Sequence, residues 1–426
     1  MLRSPVTEEG EGMRVAHFDE KMLVLAAVGA LALAAACGSG ETVSPDGDDD
    51  LDTVAEVPPD AGDVPDTTEP PDDAADVGPD VVPDVEDVPE EPGEDAPPDT
   101  EPDVPPPPAM NFYFGNFHSH TSFSEGVGPP SENFAWARDV AGFDFYAVTD
   151  HAEMIGAAEW DDTAAQADAA NEDGVFVALR GFEWSHTLIG HSCVLATGGR
   201  TSALSTLLLG AFYDWVDAND GLAQFNHPGR ELNNFNNLAY AARVDDNFFA
   251  IEVANKGDSI AEGEYLPFYA QVLDAGWHVA PTANQDNHEQ STTSHRSVYV
   301  GPELSRDALF EAMRVRRVYA TDDPNMRITF RVGDAWMGSR LPVPTEPVVF
   351  TIRIEDDEPL TLVELVSNGG AVASSTTPAA GATEVSWEPE ATVAAGQWYC
   401  VKVTEADTLD GEPPSQLAVS AAIWFE

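Results

Sequence analysis

Apolar runs of strand length alternate with stretches of helical periodicity from Asn111 to about Asp323. The strand-like runs fall at 112–118, 143–149, 175–182, 191–196, 222–226, 248–253, 278–282 and 297–300, and the helical stretches at 132–140, 163–170, 204–218, 266–275 and 306–314. This alternation predicts an α/β domain whose sheet is mainly parallel, open or closed into a barrel. In such folds chemistry collects at the carboxyl ends of the strands. After Met326 the period shortens to two, at 328–332, 348–355, 360–366, 384–387 and 399–403, between Gly, Pro, Asp and Thr turns. Short strands at that spacing predict a small all-β sandwich. The chain shows no internal repeat.

Before Asn111 the pattern is different. Met22 to Ala36 is an apolar run behind Lys21, ending in three alanines directly before Cys37. A short apolar run after a positive residue, closed by small residues, reads as a secretory signal rather than a membrane span. The cysteine after Ala34-Ala35-Ala36 resembles a bacterial lipoprotein cleavage site, which implies a lipid anchor at Cys37. Gly38-Ser39 lacks the Asp that tends to hold lipoproteins at an inner membrane, so the expected place is the cell envelope, at the outer membrane or surface. Glu41 to Ala109 holds 25 acidic residues, 17 prolines and no Lys or Arg. Such a stretch buries too little apolar surface to offset its ordering entropy, and is expected to be a disordered spacer reaching on the order of 200 Å when extended. The expected division is a signal region at 1–37, an acidic Pro-rich linker at 38–110, the α/β domain at 111–324 and a β-sandwich at 325–426.

The charge balance, 76 acidic against 19 basic residues, leaves no basic stripe to follow a phosphate backbone, so general nucleic-acid binding is not expected. Beyond Cys37 only Cys193 and Cys400 remain, each in an apolar run, which predicts buried free thiols. Without a CxxC motif, zinc-ribbon and thioredoxin readings fall away.

Histidine carries the candidate chemistry. Six of the ten histidines stand in His118-Ser-His120, Thr149-Asp150-His151, Glu183 with His191, Asn226-His227-Pro228 and Asp286-Asn-His288, and none lies beyond residue 325. Spacing of two on a strand puts His118 and His120 on one face. A strand-borne HxH alone is more often a pair of satisfied core imidazoles than a metal site. Three further His motifs, each following an apolar run, change that balance toward one shared centre. Imidazole and carboxylate suit Zn, Mn or Fe, and a bound divalent ion activates water for hydrolysis.

This set resembles the PHP (polymerase and histidinol phosphatase) superfamily over roughly residues 111–323. The run N-F-H-S-H-T-S-F-S-E-G is similar to that family's H-x-H-T-x-x-S-D-G, with Glu125 where Asp is common. The resemblance implies a distorted (β/α)7 barrel holding two or three divalent ions. His118, His120, Glu183 and Asp286 would hold the first, Glu183, His191 and His227 the second with Glu183 bridging, and Glu125, His151 and His288 the third. His191 is preferred to His186 because it opens the strand HSCVLAT. I-E-V-A-N at 251–255, R-V-Y-A-T-D at 317–322, G-D-A-W-M-G-S at 333–339 and A-A-I-W-F at 421–425 resemble the carbaryl-hydrolase-like branch, which carries a C-terminal β domain.

Asp150, which precedes a candidate ligand, is placed to orient an imidazole or relay a proton, and Arg230, Lys256 and Arg296 lie near motif ends as cations able to receive an anionic phosphate; Asp150 and Arg296 are the catalytic candidates beside the ions. The expected activity is metal-dependent hydrolysis of a small-molecule substrate, with a phosphoesterase favoured. Two alternatives stand beside it: a carbamate, ester or amide hydrolase, and a non-catalytic surface protein stapled by metals. The pocket wall discriminates between the hydrolases. Convergent cations favour phosphate, whereas an aromatic wall, with Trp160, Trp184 and Phe235 as candidates, favours a neutral ester or carbamate.

Overall fold

The computed structural model describes residues 109–406 and 415–426. The N-terminal apolar run, Cys37 and the acidic Pro-rich segment lie outside the described residues. Nine strands make the histidine-bearing α/β region: β1 (Asn111–Asn116), β2 (Phe145–Val148), β3 (Val177–His186), β4 (Gly190–Leu195), β5 (Leu222–Phe225), β6 (Phe248–Asn255), β7 (Ala280–Asn284), β8 (Arg296–Gly301) and β9 (Val318–Thr321). Helices α1 (Pro130–Asp139), α2 (Ala157–Ala170), α3 (Leu209–Ala218), α4 (Leu266–Asp274) and α5 (Arg306–Arg314) stand among them.

The strands lie in the order β9-β8-β1-β2-β3-β4-β5-β6-β7. β1, β2 and β3 are parallel, as are β5, β6 and β7. β4 runs antiparallel to both its neighbours. Only residues 187–189 separate β3 from β4, enough for a hairpin and too few for a parallel crossover. The result is a mixed, curled sheet rather than an all-parallel ring. At its open side β7 meets β8 through a side chain: the Ser297 hydroxyl lies 3.0 Å from the Ala283 carbonyl and 3.1 Å from the Ala283 N–H. Phe117, Phe145 and Phe249 fill the interior, with ring centroids 4.7 and 5.3 Å apart, and are fully buried. Phe117 directly precedes His118, so this aromatic floor fixes where the HxH strand end begins.

Beyond β9, β10 (Arg327–Val332), β11 (Ala335–Trp336), β13 (Val348–Glu355), β16 (Glu384–Trp387) and β17 (Glu390–Ala391) form one antiparallel sheet. β14 (Leu360–Ser367), β15 (Ala371–Thr376), β18 (Gln397–Glu405), β19 (Gln416–Ser420) and β20 (Ile423–Phe425) form the facing layer, with β12 (Arg340–Leu341) beside β20. Their shared core includes Phe330 and Phe350, at 5.7 Å, and Tyr399, 5.1 Å from Phe350. The second layer is not separate from the α/β sheet, because β19 pairs antiparallel with β9. The described residues accordingly fall in one compact unit. Cys193 and Cys400 are both buried and free.

Phe350 is fully buried between the layers. Phe350→Ala is expected to lower stability by roughly 3–5 kcal/mol, read as a drop in the urea midpoint at unchanged slope.

Candidate metal centre

β1, β2, β3, β5, β6 and β7 end on the same side of the curled sheet, and their polar ends meet around Glu183. Glu183 Oε1 lies 3.2 Å from His118 Nε2, 3.3 Å from His191 Nδ1 and 3.5 Å from His227 Nε2. Its Oε2 lies 2.7 Å from His151 Nδ1 and 3.7 Å from His120 Nε2. Asp286 Oδ1 stands 3.1 Å from His120 Nε2 and 3.4 Å from His118 Nε2, and those two nitrogens are 3.2 Å apart.

These separations fit a common ion. Ligand atoms around a tetrahedral zinc at 2.0–2.1 Å stand about 3.3 Å from one another. The donors also face inward as lone pairs. His118 Nδ1 lies 2.9 Å from Glu252 Oε1, which puts a proton on Nδ1, so in the neutral ring that binds a metal Nε2 is the lone pair. His120 Nδ1 lies 3.4 Å from the Ser124 hydroxyl, whose own proton goes to Asp150 Oδ1, so His120 also keeps its proton on Nδ1. Two bare nitrogens and two carboxylates at van der Waals distance repel one another unless a cation or protons lie between them.

Three donor groups emerge, each with ligand atoms within 4.8 Å: His118, His120 and Asp286; Glu183, His191 and His227; and His120, His151 and His288. Glu183 touches all three. The third differs from the expected trio. His120 is stacked between His151 and His288, at 4.4 and 4.2 Å, while Glu125 Oε2 stands 3.9 Å from His151 Nε2 at the rim. A pocket of about 290 Å³ opens over the groups, bordered by Glu125, Thr187, Arg230, Glu231 and Lys256.

The electrostatics follow from crowding. Burial alone would raise the carboxyls, but His118, His191 and His151 outweigh it at Glu183, and His118 and His120 do so at Asp286, so both stay well below the usual carboxylate range. Burial and the adjacent His151 push His120 well down, leaving a neutral ring. At His151 burial is outweighed by Glu183, Glu125 and Glu153, which bring it up to about 9.

Neighbouring groups orient the ligands. Glu252 Oε2 accepts the His227 N–H at 2.7 Å, and Asn284, Gln224 and Asn255 amides complete its shell. Asn226 donates to Glu183 Oε1 at 2.8 Å. Three residues at these strand ends hold positive φ without being glycine: His227 at 28°, Asp286 at 42° and Lys256 at 56°. Such backbone costs about 1–2 kcal/mol per residue and persists where surrounding contacts enforce it. Here the Glu252 bond to His227 and the Lys256 N–H bond to the Asn284 carbonyl at 3.2 Å are among those contacts.

Asp150 takes the orienting place open to it in the sequence, whereas Arg296 lies away from the pocket. Asp150 is buried and accepts the Thr121 N–H and hydroxyl, each at 2.7 Å, as well as the Ser124 hydroxyl. It fixes the loop after β1 and orients His120 through Ser124. Arg296 does not line the pocket. Its guanidinium clamps the carbonyls of Ser294 and His295 at 2.9 Å and lies 4.5 Å over Phe143, a structural task in place of a catalytic one. His186 Nδ1 accepts the N–H groups of Leu188 and Ile189 and caps the β3–β4 hairpin. Trp160, Trp184 and Phe235 are buried in the core, with Trp184 stacked on Phe212 at 4.2 Å.

Two participants went unread in the sequence. Glu252 was visible as the one charge in the fully buried strand FFAIEVAN. Glu231, 3.8 Å from His191 and 3.7 Å from His227, sits in a loop with no distinguishing pattern.

No protein-family model matches the chain, and no curated protein matches it. Among solved structures, a two-domain protein from Bacteroides vulgatus described as containing a predicted PHP-like metal-dependent phosphoesterase is similar, at 16% identity and a TM-score of 0.42, over 74% of this chain and 95% of that one. An engineered protein is similar at 11% identity and a TM-score of 0.21, over 70% of this chain and 80% of that one. Likenesses this distant leave function to be read from the side chains.

Glu183→Ala is expected to remove more than one ion per chain at once, measured by metal analysis after dialysis. Glu252→Gln should keep the stoichiometry but weaken metal affinity about 10–100-fold, by loosening His118. Below pH 9 an ion must displace the proton held by His151. Metal affinity should therefore fall progressively from pH 9 to pH 6, with proton release detectable by calorimetry in buffers of different ionisation heat.

Proposed function

We propose that the chain is a metal-dependent phosphoesterase acting on a small phosphate ester. The observation that carries this reading is the pair of cations on the pocket wall. Lys256 Nζ stands 3.3 Å and Arg230 Nη1 3.6 Å from Asp286 Oδ2, so two positive groups border the pocket beside the candidate ligands. Arg230 is held in place by Asn255 Oδ1 at 2.9 Å and Tyr265 Oη at 3.3 Å, which pre-aims its fork before an anion arrives. A phosphate oxygen would exchange with Asp286 for these two groups, whose charge also offsets that developing in the transition state.

Bound divalent ions would acidify a water and polarise the scissile oxygen. Glu183 would hold neighbouring ions in register, and Glu252, through His118 and the His227 backbone, would keep the imidazoles pointed inward. No serine or cysteine nucleophile is required. The carbamate or ester reading asked for an aromatic wall, and Trp160, Trp184 and Phe235 are core residues instead. The motif resemblance to the PHP superfamily, with its di- or trinuclear barrel site, supports the same reading. Attachment to the bacterial envelope through a lipid at Cys37 remains a proposal resting on the N-terminal sequence.

The test is hydrolysis of nitrophenyl phosphate, bis-nitrophenyl phosphate and naphthyl carbamate by the Mn- or Zn-loaded full chain. Cleavage of a phosphate ester, abolished by Glu183→Ala, is expected; cleavage of the carbamate alone would reject the phosphoesterase. Lys256→Ala and Arg230→Ala should each lower kcat/KM for the phosphate ester by about 10–100-fold with metal content unchanged, the loss of one charge-assisted hydrogen bond.

A further inference from the structure

Far along the chain from the histidines, a second cluster contains oxygen donors only. One oxygen each of Asp323, Asp356 and Asp357 lies within 4.8 Å of the others, and the same holds for Asp323, Glu358 and Glu405. They come from three places that the fold brings together: the turn after β9, the β13–β14 turn and the last residue of β18. Asp323, Glu358 and Glu405 are buried, Glu405 completely.

Three of these carboxylate oxygens lack an N–H or hydroxyl donor. Both oxygens of Glu405 and Oδ2 of Asp356 are shielded from solvent and find no such donor among the described residues, and the two side chains face each other instead. Gln416 is paired directly across from Glu405 in the β18–β19 ladder, so both side chains leave the same face of the sheet. Its buried Oε1 also lacks a donor. Asp323 spends Oδ1 on the N–H groups of Asn325 and Met326, at 2.6 and 2.8 Å, and Asp356 spends Oδ1 on the Asp357 N–H at 2.7 Å. Burial pushes both Asp323 and Glu405 up, helped at Glu405 by the hydrogen bond with Asp356 and at both by repulsion from neighbouring carboxylates, so a cation among them would relieve the cluster.

We propose that Asp323, Asp356, Asp357, Glu358 and Glu405 form a binding site for a hard divalent cation of calcium's size, with Gln416 Oε1 as a further oxygen donor. Calcium takes six to eight oxygens at 2.3–2.6 Å, so oxygens on opposite sides of one ion stand about 4.6–5.2 Å apart, and donors this close together can share one ion. An all-oxygen set without imidazole or thiolate disfavours zinc, and the spread of donors over two turns and a strand disfavours the strict octahedron of magnesium. Because the donors come from the end of β9 and from both layers of the β region, the ion ties the last strand of the catalytic sheet to the sandwich. Its role is structural, separate from the histidine centre.

The experiment uses the full chain with its histidine centre already loaded with manganese or zinc. Calcium chloride is titrated by calorimetry, and thermal unfolding is followed with calcium or with a chelator selective for it. One additional calcium per chain is expected, with an unfolding midpoint raised on the order of 5 °C at a hundredfold excess over Kd. Glu405→Gln should abolish both responses while melting, without calcium, no lower than the wild type, because it exchanges a carboxyl that burial already keeps protonated for a neutral amide of similar shape. His118→Ala should retain both. Absence of calcium binding at millimolar concentration would overturn the proposal in favour of a proton shared between Glu405 and Asp356, as would a calcium response that survives Glu405→Gln.

Discussion

One carboxylate organises the centre. Glu183, borne by β3 and nearly excluded from water, lies within 3.7 Å of five imidazoles delivered by β4 and the loops after β1, β2 and β5. A charge buried this deeply is tolerated only with counter-charge around it. Here that charge is protons or metal ions, and the tautomers enforced by Glu252 and by the Asp150–Ser124 pair favour ions at His118 and His120. The rest of the catalytic region can be seen as scaffolding that holds those rings within a few tenths of an ångström of one another.

That scaffolding is arranged in layers of decreasing polarity. Behind the imidazoles stand Glu252, Asn226, Gln224 and Asn284, all buried and all bonded to one another or to Glu183. Behind these lie Phe117, Phe145 and Phe249, which exclude water and fix the strand ends. A fully satisfied polar layer of this kind is rigid, which the strained backbone at His227, Lys256 and Asp286 requires. The β region reinforces the far edge, since β19 extends the catalytic sheet past β9.

Division of labour follows from ligand chemistry. Imidazoles with bridging carboxylates gather at the pocket, where Arg230 and Lys256 add positive charge for an anion. Oxygen-only donors gather at the junction with the sandwich, away from that pocket, with Asp323, Glu358 and Glu405 buried and Asp357 exposed. The first arrangement leaves an open cleft of about 290 Å³ beside the donors. An open cleft suits a substrate, while a buried oxygen set suits a fastening.

Periodicity and local motif were enough to place most strands and helices, because burial of one face imposes its spacing on the chain whatever the partner. They were also enough to nominate the histidines, because HxH, TDH, NHP and DxH each stand where an apolar run stops. The antiparallel turn of β4, the linkage of β19 to β9 and the oxygen cluster were not legible, since each depends on which distant segments become neighbours. The same limit explains Asp150 and Arg296: their charge suggested chemistry, but only three-dimensional packing revealed that Thr121, Ser124 and loop carbonyls already occupy them. Residue type is local information, while the partner that consumes a hydrogen bond is set by the closure of the whole sheet.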